Sequence, residues 1–277
     1  MTIKTFVKKA IKAILPYGIV MCIIERKKLQ PQLSRVKQRA KKIAKLLADE
    51  NSKKVYLGII KARCGLGNFS DFYTNQVQYF ENEYFKYGDD EFLIDCGAYD
   101  GNTINDFIKF VPNFKGIVSF EATPATFEVL KKNYGNNHKI QLINKACWSE
   151  VTKLVFNVDT RTSGDYIGAG NSILLHGNNT TNIEVEATSI DALELREKVT
   201  FIKMDIEGAE LEALKGAKKT ILRDKPRLAI AIYHTNEDMF SIAEYIHEIC
   251  PEYKLYVKHH WINSWETVLY GVPHAKG

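Results

Sequence analysis

The feature that most constrains this chain is a regular alternation, from Glu91 onward, of short apolar runs with amphipathic stretches. EFLIDCG, GIVSFEA, IQLINKACW, VTFIKMDI and RLAIAIYH read as buried strands, and the stretches at 103–110, 124–133, 210–222 and 237–249 have helical periodicity. That alternation predicts an α/β architecture: a doubly wound sheet with helices on both faces. Two further runs, KLVFNV and IEVEATS, read as a hairpin-like pair around a Gly-, Asn-, Ser- and Thr-rich stretch at 159–182. A loop that long inside a domain is usually a functional lid or a disordered segment. YKLYVKHHW and ETVLYGV leave no room for a helix between them, so they predict a closing hairpin whose last strand runs antiparallel to the rest.

Charge divides the chain differently. Residues 1–54 hold 15 Lys and Arg against 3 acids, whereas the whole chain carries a formal +5, so the remainder is net acidic. Such asymmetry predicts that the first segment meets an anionic surface while the body avoids one. We expect two basic amphipathic helices there, broken near Gln30-Pro31, either packed as a solvated face on the domain or resting on anionic lipid; nucleic acid is not expected as a partner. The apolar run at 13–24 holds Pro16 and Gly18 and is too short to span a bilayer. Residues 55–90, rich in aromatics around YFENEYFKYG, form a connector expected to cover the mouth of a domain at 91–277. The five cysteines (Cys22, Cys64, Cys96, Cys147, Cys250) form no CxxC pair, which favours a reducing, cytoplasmic setting, with a peripheral position on the inner membrane face as the alternative.

The strongest chemical signal is Asp95-Cys96-Gly97-Ala98-Tyr99-Asp100-Gly101-Asn102-Thr103, ending one strand and opening a helix. Gly97 permits a sharp turn and Gly101 a close backbone approach. The spacing D-x-G-x-x-x-G differs from the G-x-G-x-x-G that seats a dinucleotide pyrophosphate, so the loop suits a ligand lacking one. Glu121 ends the next strand, where an acid can accept hydrogen bonds from both ribose hydroxyls; its other reading is a carboxylate beside the helix that Thr123-Pro124 opens. Asn144, Ala146 and Cys147, taken as the end of the third strand, are placed to border an adenine ring.

FLIDCGAYDGNT, SFEATPATFEVLKKN, NKACWSE, FIKMDIEGAELEALKGA, LAIAIYH and TVLYGVP, in this order, resemble the FkbM family of methyltransferases over about 91–273. The resemblance implies a class I methyltransferase (Rossmann-like) sheet of seven strands with the N-terminal helices appended. It implies S-adenosylmethionine as donor and a hydroxyl oxygen as acceptor, with the cofactor at Asp95, Gly97, Gly101 and Glu121; Ala98, Asn102, Thr103, Ala146 and Asp205 are expected beside it. It leaves the acceptor open, and a sugar or a sugar-containing precursor of capsule or lipopolysaccharide type is the expected class.

Asp205 and Glu207 follow the fourth strand and His234 the fifth, so a doubly wound sheet turns them toward one crevice. A histidine near its ordinary pKa suits removal of an alcohol proton, with Asp205 orienting it or holding the hydroxyl. The alternative for Asp205 and Glu207 is a pair of helix N-terminal carboxylates. Of His259 and His260 only one can face the crevice; were it His259, then Asp205, His234 and His259 could hold a divalent metal. His176, in the long loop, is a further possible acceptor contact. Two rivals remain: a nicotinamide-dependent oxidoreductase, which should carry the pyrophosphate glycines, and a non-catalytic, membrane-recruited nucleoside-binding protein.

Overall fold

The computed structural model describes residues 33–159 and 180–274. The expectations for the first helix, for the apolar run at 13–24, for Cys22, for His176 and for most of the 159–182 loop lie outside them.

The main sheet comprises β1 (Phe92–Cys96), β2 (Gly116–Phe120), β3 (Ile140–Ile143), β7 (Phe201–Met204), β8 (Arg227–Ala231), β9 (Lys254–His259) and β10 (Thr267–Val272), in the order β3-β2-β1-β7-β8-β10-β9. The pairs among the first five of these strands in space are parallel, whereas β10 is antiparallel to both β8 and β9. The hairpin predicted from the last two runs is therefore present, with β10 inserted between β8 and the edge strand β9. Chain order reverses between β1 and β7, so the carboxyl ends of these strands flank a crevice of the kind that binds ligands in open α/β sheets.

Helices cover both faces, and the sheet's own apolar residues make two cores. One lies under α1 (Leu33–Leu46), α2 (Glu50–Arg63), α5 (Glu210–Lys215), α6 (Lys218–Asp224) and α7 (Asp238–Ile249); the other lies near α3 (Asn102–Phe110) and α4 (Pro124–Tyr134). α5 and α6 replace the single helix expected over 210–222. Gly216 sits at the break, where an added Cβ would fall 2.1 Å from the Trp148 carbonyl oxygen, so the chain approaches its neighbour more closely than a continuous helix with a side chain would allow.

The remaining strands, β4 (Ala146–Cys147), β5 (Thr152–Asp159) and β6 (Thr180–Thr188), form a second sheet in the order β4-β6-β5. β5 and β6 are the expected antiparallel pair. Ala146 and Cys147 thus belong to this sheet and not to the end of β3, which stops at Ile143.

The N-terminal helices and the connector after them close the exposed edge of β9. Ala48 N donates to Leu255 O (2.8 Å), Val257 N to Ser52 Oγ (3.0 Å) and Thr74 N to His259 O (2.9 Å), so alternate edge groups of β9 find partners. α2 crosses the boundary placed between 54 and 55, because the face carrying Val55, Tyr56, Ile59 and Ile60 continues into the core while lysines occupy the outer face. The aromatic connector does less at the mouth than its composition suggests: Phe80 and Phe85 pack against Phe107, Phe201 and Tyr270, and Gln78 and Tyr79 reach the crevice. Large apolar rings gain more from burial than from guarding a polar opening. Among the described residues no helix is long and apolar enough to cross a membrane.

Candidate active site

A cavity of about 380 Å³ opens at the carboxyl edge of the sheet over β1, β2, β7 and β8. Its first wall is local in sequence. After β1 the chain turns at Gly97 (φ 85°), and Gly97 N and Ala98 N donate to the Phe120 carbonyl at 3.0 and 2.9 Å. A Cβ on Gly97 would fall 2.0 Å from the Asp205 carbonyl oxygen, so only glycine lets the two strand ends meet. Tyr99 N and Thr123 N each donate to one oxygen of Glu121, at 3.1 and 2.8 Å, which fixes the carboxylate at the end of β2. Burial pushes the Glu121 carboxyl up, against the pull of those amides.

Gly97, Ala98, Asn102, Thr103, Glu121, Ala146 and Asp205 line the cavity. Asp95 and Gly101 stand behind the wall. Asp95 is wholly buried 3.1 Å from Lys203 Nζ, its register partner across β1 and β7, and Lys203 donates to Gly97 O at 2.8 Å. Asp95 therefore supports the loop through Lys203. Gly101 (φ 96°) caps α3 beneath the Tyr134 ring, which a Cβ would approach to 2.2 Å. Asn144 turns away, donating to the Glu121 and Ala122 carbonyls at 2.8 and 3.3 Å.

The second wall is assembled from distant segments. Asp205, just beyond β7, accepts from Tyr79 Oη at 2.6 Å on Oδ2 and from Tyr233 Oη at 3.1 Å on Oδ1. Tyr233 Oη also reaches Glu266 Oε1 at 3.4 Å, and Gln78 binds the other oxygen of Glu266. Behind Asp205 lies His234, buried, with Nε2 3.2 Å from Asp205 Oδ1 and 3.6 Å from Glu207 Oε2, and Nδ1 2.9 Å from Glu210 Oε1. These are close ion-pair approaches off the ring N–H axes, and Glu210 Oε2 has no hydrogen-bond partner. Burial of the imidazole opposes its charge, but the carboxylates of Glu210 and Asp205 outweigh that and push His234 up to about 11. Burial likewise opposes ionisation of Asp205, yet His234, Lys203 and Tyr79 hold its carboxyl well below the usual range. Burial and the charge of Asp205 push Glu266 up.

This geometry corrects two expectations. His234 does not stand at the cavity wall near its ordinary pKa: it lies between carboxylates that push it up to about 11, with Asp205 between it and the open space. His259 does not join Asp205 and His234, because β10 separates β9 from β8 and two strand spacings amount to about 10 Å. His259 instead holds Thr267 Oγ1 at 2.9 Å through Nδ1, and His260 holds Tyr270 Oη at 2.8 Å. Glu210 takes the third place, and one ligand atom from each of Asp205, Glu210 and His234 falls within 4.8 Å of the others.

Backbone strain marks the same cavity. Tyr79 (φ 69°), Tyr99 (φ 51°), Glu207 (φ 57°) and Glu266 (φ 61°) all line it; among the described residues Lys225 is the other non-glycine with positive φ. Each such residue costs of order 1 kcal/mol or more, so their gathering here argues for a built site. The sequence reading missed Tyr79, Lys203, Glu210, Tyr233 and Glu266. A lysine inside the buried run VTFIKMDI is a signal for the second; for Tyr79 and Glu266 no local pattern exists.

The seven-stranded sheet with its antiparallel strand, the glycine turn after β1 and the acid ending β2 define a class I methyltransferase fold. A family model described as the methyltransferase FkbM domain matches residues 95–256, more than half of the chain, and the chain belongs to that family. The crystal structure of methyltransferase FkbM from Methylobacillus flagellatus KT is similar in fold, with TM-score 0.72 at 24% identity, covering 88% of this chain. The chain spans 60% of that structure's length. An rRNA methylase from Streptococcus thermophilus is a weaker match, with TM-score 0.42 at 14% identity over 67% of this chain and 87% of its own. No curated protein matches.

Proposed function

We propose that the protein is an S-adenosylmethionine-dependent O-methyltransferase acting on a hydroxyl of a sugar or sugar-containing acceptor. The observation that carries this reading is that one cavity joins the Glu121 wall, suited to a nucleoside, to a wall of Asp205, Glu207 and Glu266, suited to taking a proton. The donor set fits: Gly97, Ala98, Asn102 and Thr103 offer backbone and short polar side chains, Glu121 a fixed acceptor for ribose hydroxyls, and Ala146 and Phe156 apolar borders for a base. When bound, the cofactor supplies an electrophilic methyl on a positively charged sulfur.

Asp205 accepts the hydroxyl proton. Its carboxylate is ionised at neutral pH and faces the cavity, and its weak basicity suffices because an oxygen gaining a methyl becomes a strong acid as the bond forms. Tyr79 and Tyr233 hold the two oxygens of Asp205 in place, and Tyr233 links them to Glu266. His234 is a positioning residue: its charge keeps Asp205 ionised. The acidic wall also suits a cationic donor. A sugar acceptor accords with a polar, carboxylate-lined opening and with the family resemblance.

The mutual approach of Asp205, Glu210 and His234 favours one second reading, in which a divalent ion replaces the imidazolium proton. Calorimetry should show binding of S-adenosylhomocysteine and none of NAD, and methyl-labelled S-adenosylmethionine offered with a panel of glycosides should put label on oxygen. Binding of NAD alone would overturn the reading. Chelator is expected to leave transfer intact; silencing that Mg²⁺ or Mn²⁺ reverses would select the metal reading.

A further inference from the structure

We propose that the rim above this crevice is a docking face for an anionic bilayer, formed by the β9–β10 turn and the connector after α2. β10 runs antiparallel to β8 and β9, with Val268 opposite both Ala231 and Lys258, so the turn between His260 and Glu266 lies on the carboxyl edge where the cavity opens. Glu266 lines that cavity, and the residues before it stand outward: Trp261 is 48% exposed, Ile262 63% and Trp265 60%. The turn is held, not loose. Arg63 Nη2 donates to Ser264 O at 3.1 Å, His260 N to Glu266 O at 2.8 Å, and Trp265 N to Asn263 Oδ1 at 3.0 Å.

The same edge carries Leu66 and Tyr73, also exposed, because α2 ends there with Arg63 bound to the Tyr233 carbonyl and Thr74 N donates to His259 O. The other exposed large apolar side chains among the described residues are Val77, Val129, Val151, Val155 and Leu222, none of them aromatic. Tryptophan and tyrosine mixed with leucine and isoleucine on one rim is the chemistry of a membrane–water interface, where amphipathic rings sit among headgroups and aliphatic tips enter the acyl boundary.

What selects a bilayer as occupant is where the preceding chain leaves the described structure. Arg39 holds Glu237 at the start of α7, on the carboxyl edge, while Leu47 pairs with Leu255 on the amino edge. α1 therefore begins on the crevice side, as the rise of about 1.5 Å per residue carries Leu33 further that way. The residues before it, 1–32, hold seven Lys and Arg against one acid and include the apolar run at 13–24. The described chain thus starts on the edge that carries the interfacial aromatics, and the sequence leading into it is basic, the pairing an anionic leaflet attracts. Docking there would turn the cavity toward lipid-borne hydroxyls. That consequence rests on the methyl-transfer reading, whereas the docking does not.

The test uses the intact chain, vesicles of mixed phosphatidylcholine and phosphatidylglycerol, and a double variant, Trp261→Ser with Trp265→Ser, which leaves the cavity-lining residues unchanged. The intact protein should sediment with the mixed vesicles, its tryptophan emission should move to the blue, and the double variant should bind about tenfold weaker or less well still, as loss of two interfacial rings implies. Equal binding by the variant, binding with unmoved emission, or no binding by the intact chain would each overturn the proposal. S-adenosylhomocysteine titrations on both proteins keep the outcomes apart: absent affinity there counts against the methyl-transfer reading alone.

Discussion

The two walls of the crevice are built in opposite ways. The Glu121 wall comes from one βαβ unit: a turn at Gly97, a helix opening at Asn102, and an acid fixed by amides of Tyr99 and Thr123, all within 30 residues. The Asp205 wall joins Tyr79 from the connector, Asp205 and Glu207 after β7, Tyr233 after β8 and Glu266 before β10, with His234 and Glu210 behind. Backbone hydrogen bonds set the first wall, so it suits a ligand common to a whole family. Side chains set the second, so it is free to differ with the acceptor. On the proposed reading the first wall holds the donor and the second the acceptor.

The sharpest break between the walls is expected from Asp205→Asn. Once the labelled-methyl screen provides an acceptor, turnover should fall by roughly 10²–10⁴, the usual worth of positioned proton transfer, while S-adenosylhomocysteine affinity stays within a few-fold. Parallel loss of both would show that the second wall also holds the donor. Glu121→Ala tests the other side. It should weaken S-adenosylhomocysteine by several-fold to about a hundredfold, since losing a charged acceptor costs ~1–3 kcal/mol, and Glu121→Gln, which keeps one acceptor oxygen, should lose less. Unchanged affinity in the folded alanine variant would remove Glu121 from the site.

The smallest expected effect concerns the clamp behind Asp205. His234 is raised from 6.5 to about 11 in the folded chain, so its stabilisation is complete below about pH 6.5 and declines as pH rises through about 11. Asp205, being lowered, contributes above its ordinary range and loses that contribution only as pH falls below it. The gap in melting temperature between the native protein and His234→Gln should therefore be widest near pH 6 and narrow steadily toward pH 10. A gap that ignores pH would mean the imidazole is neutral and would reopen His234 as a base.

How far the sequence could be read follows the same division. The strand–helix alternation is local, because burial on both faces demands continuous apolar runs and an amphipathic helix must repeat at 3.6 residues. The glycine turn and Glu121 were legible for the same reason: a positive φ and an acid at a strand end are properties of a short segment. By contrast, the exclusion of His259 depended on β10 entering between β8 and β9, which no spacing within YKLYVKHHW encodes. The helix break at Gly216 and the burial of Phe80 and Phe85 likewise answer to neighbours far along the chain.

By itself, then, the sequence determined the layered α/β plan, the glycine turn with the acid that ends β2, and the basic character of the first segment, since each depends on residues adjacent in the chain. Tertiary structure alone decided which carboxylates surround His234 and which hydroxyls hold Asp205. A buried ionisable group takes its pKa from whichever charges packing brings within a few ångströms, and Glu210, Lys203, Tyr79 and Tyr233 reach Asp205 and His234 only when the strands are ordered as they are.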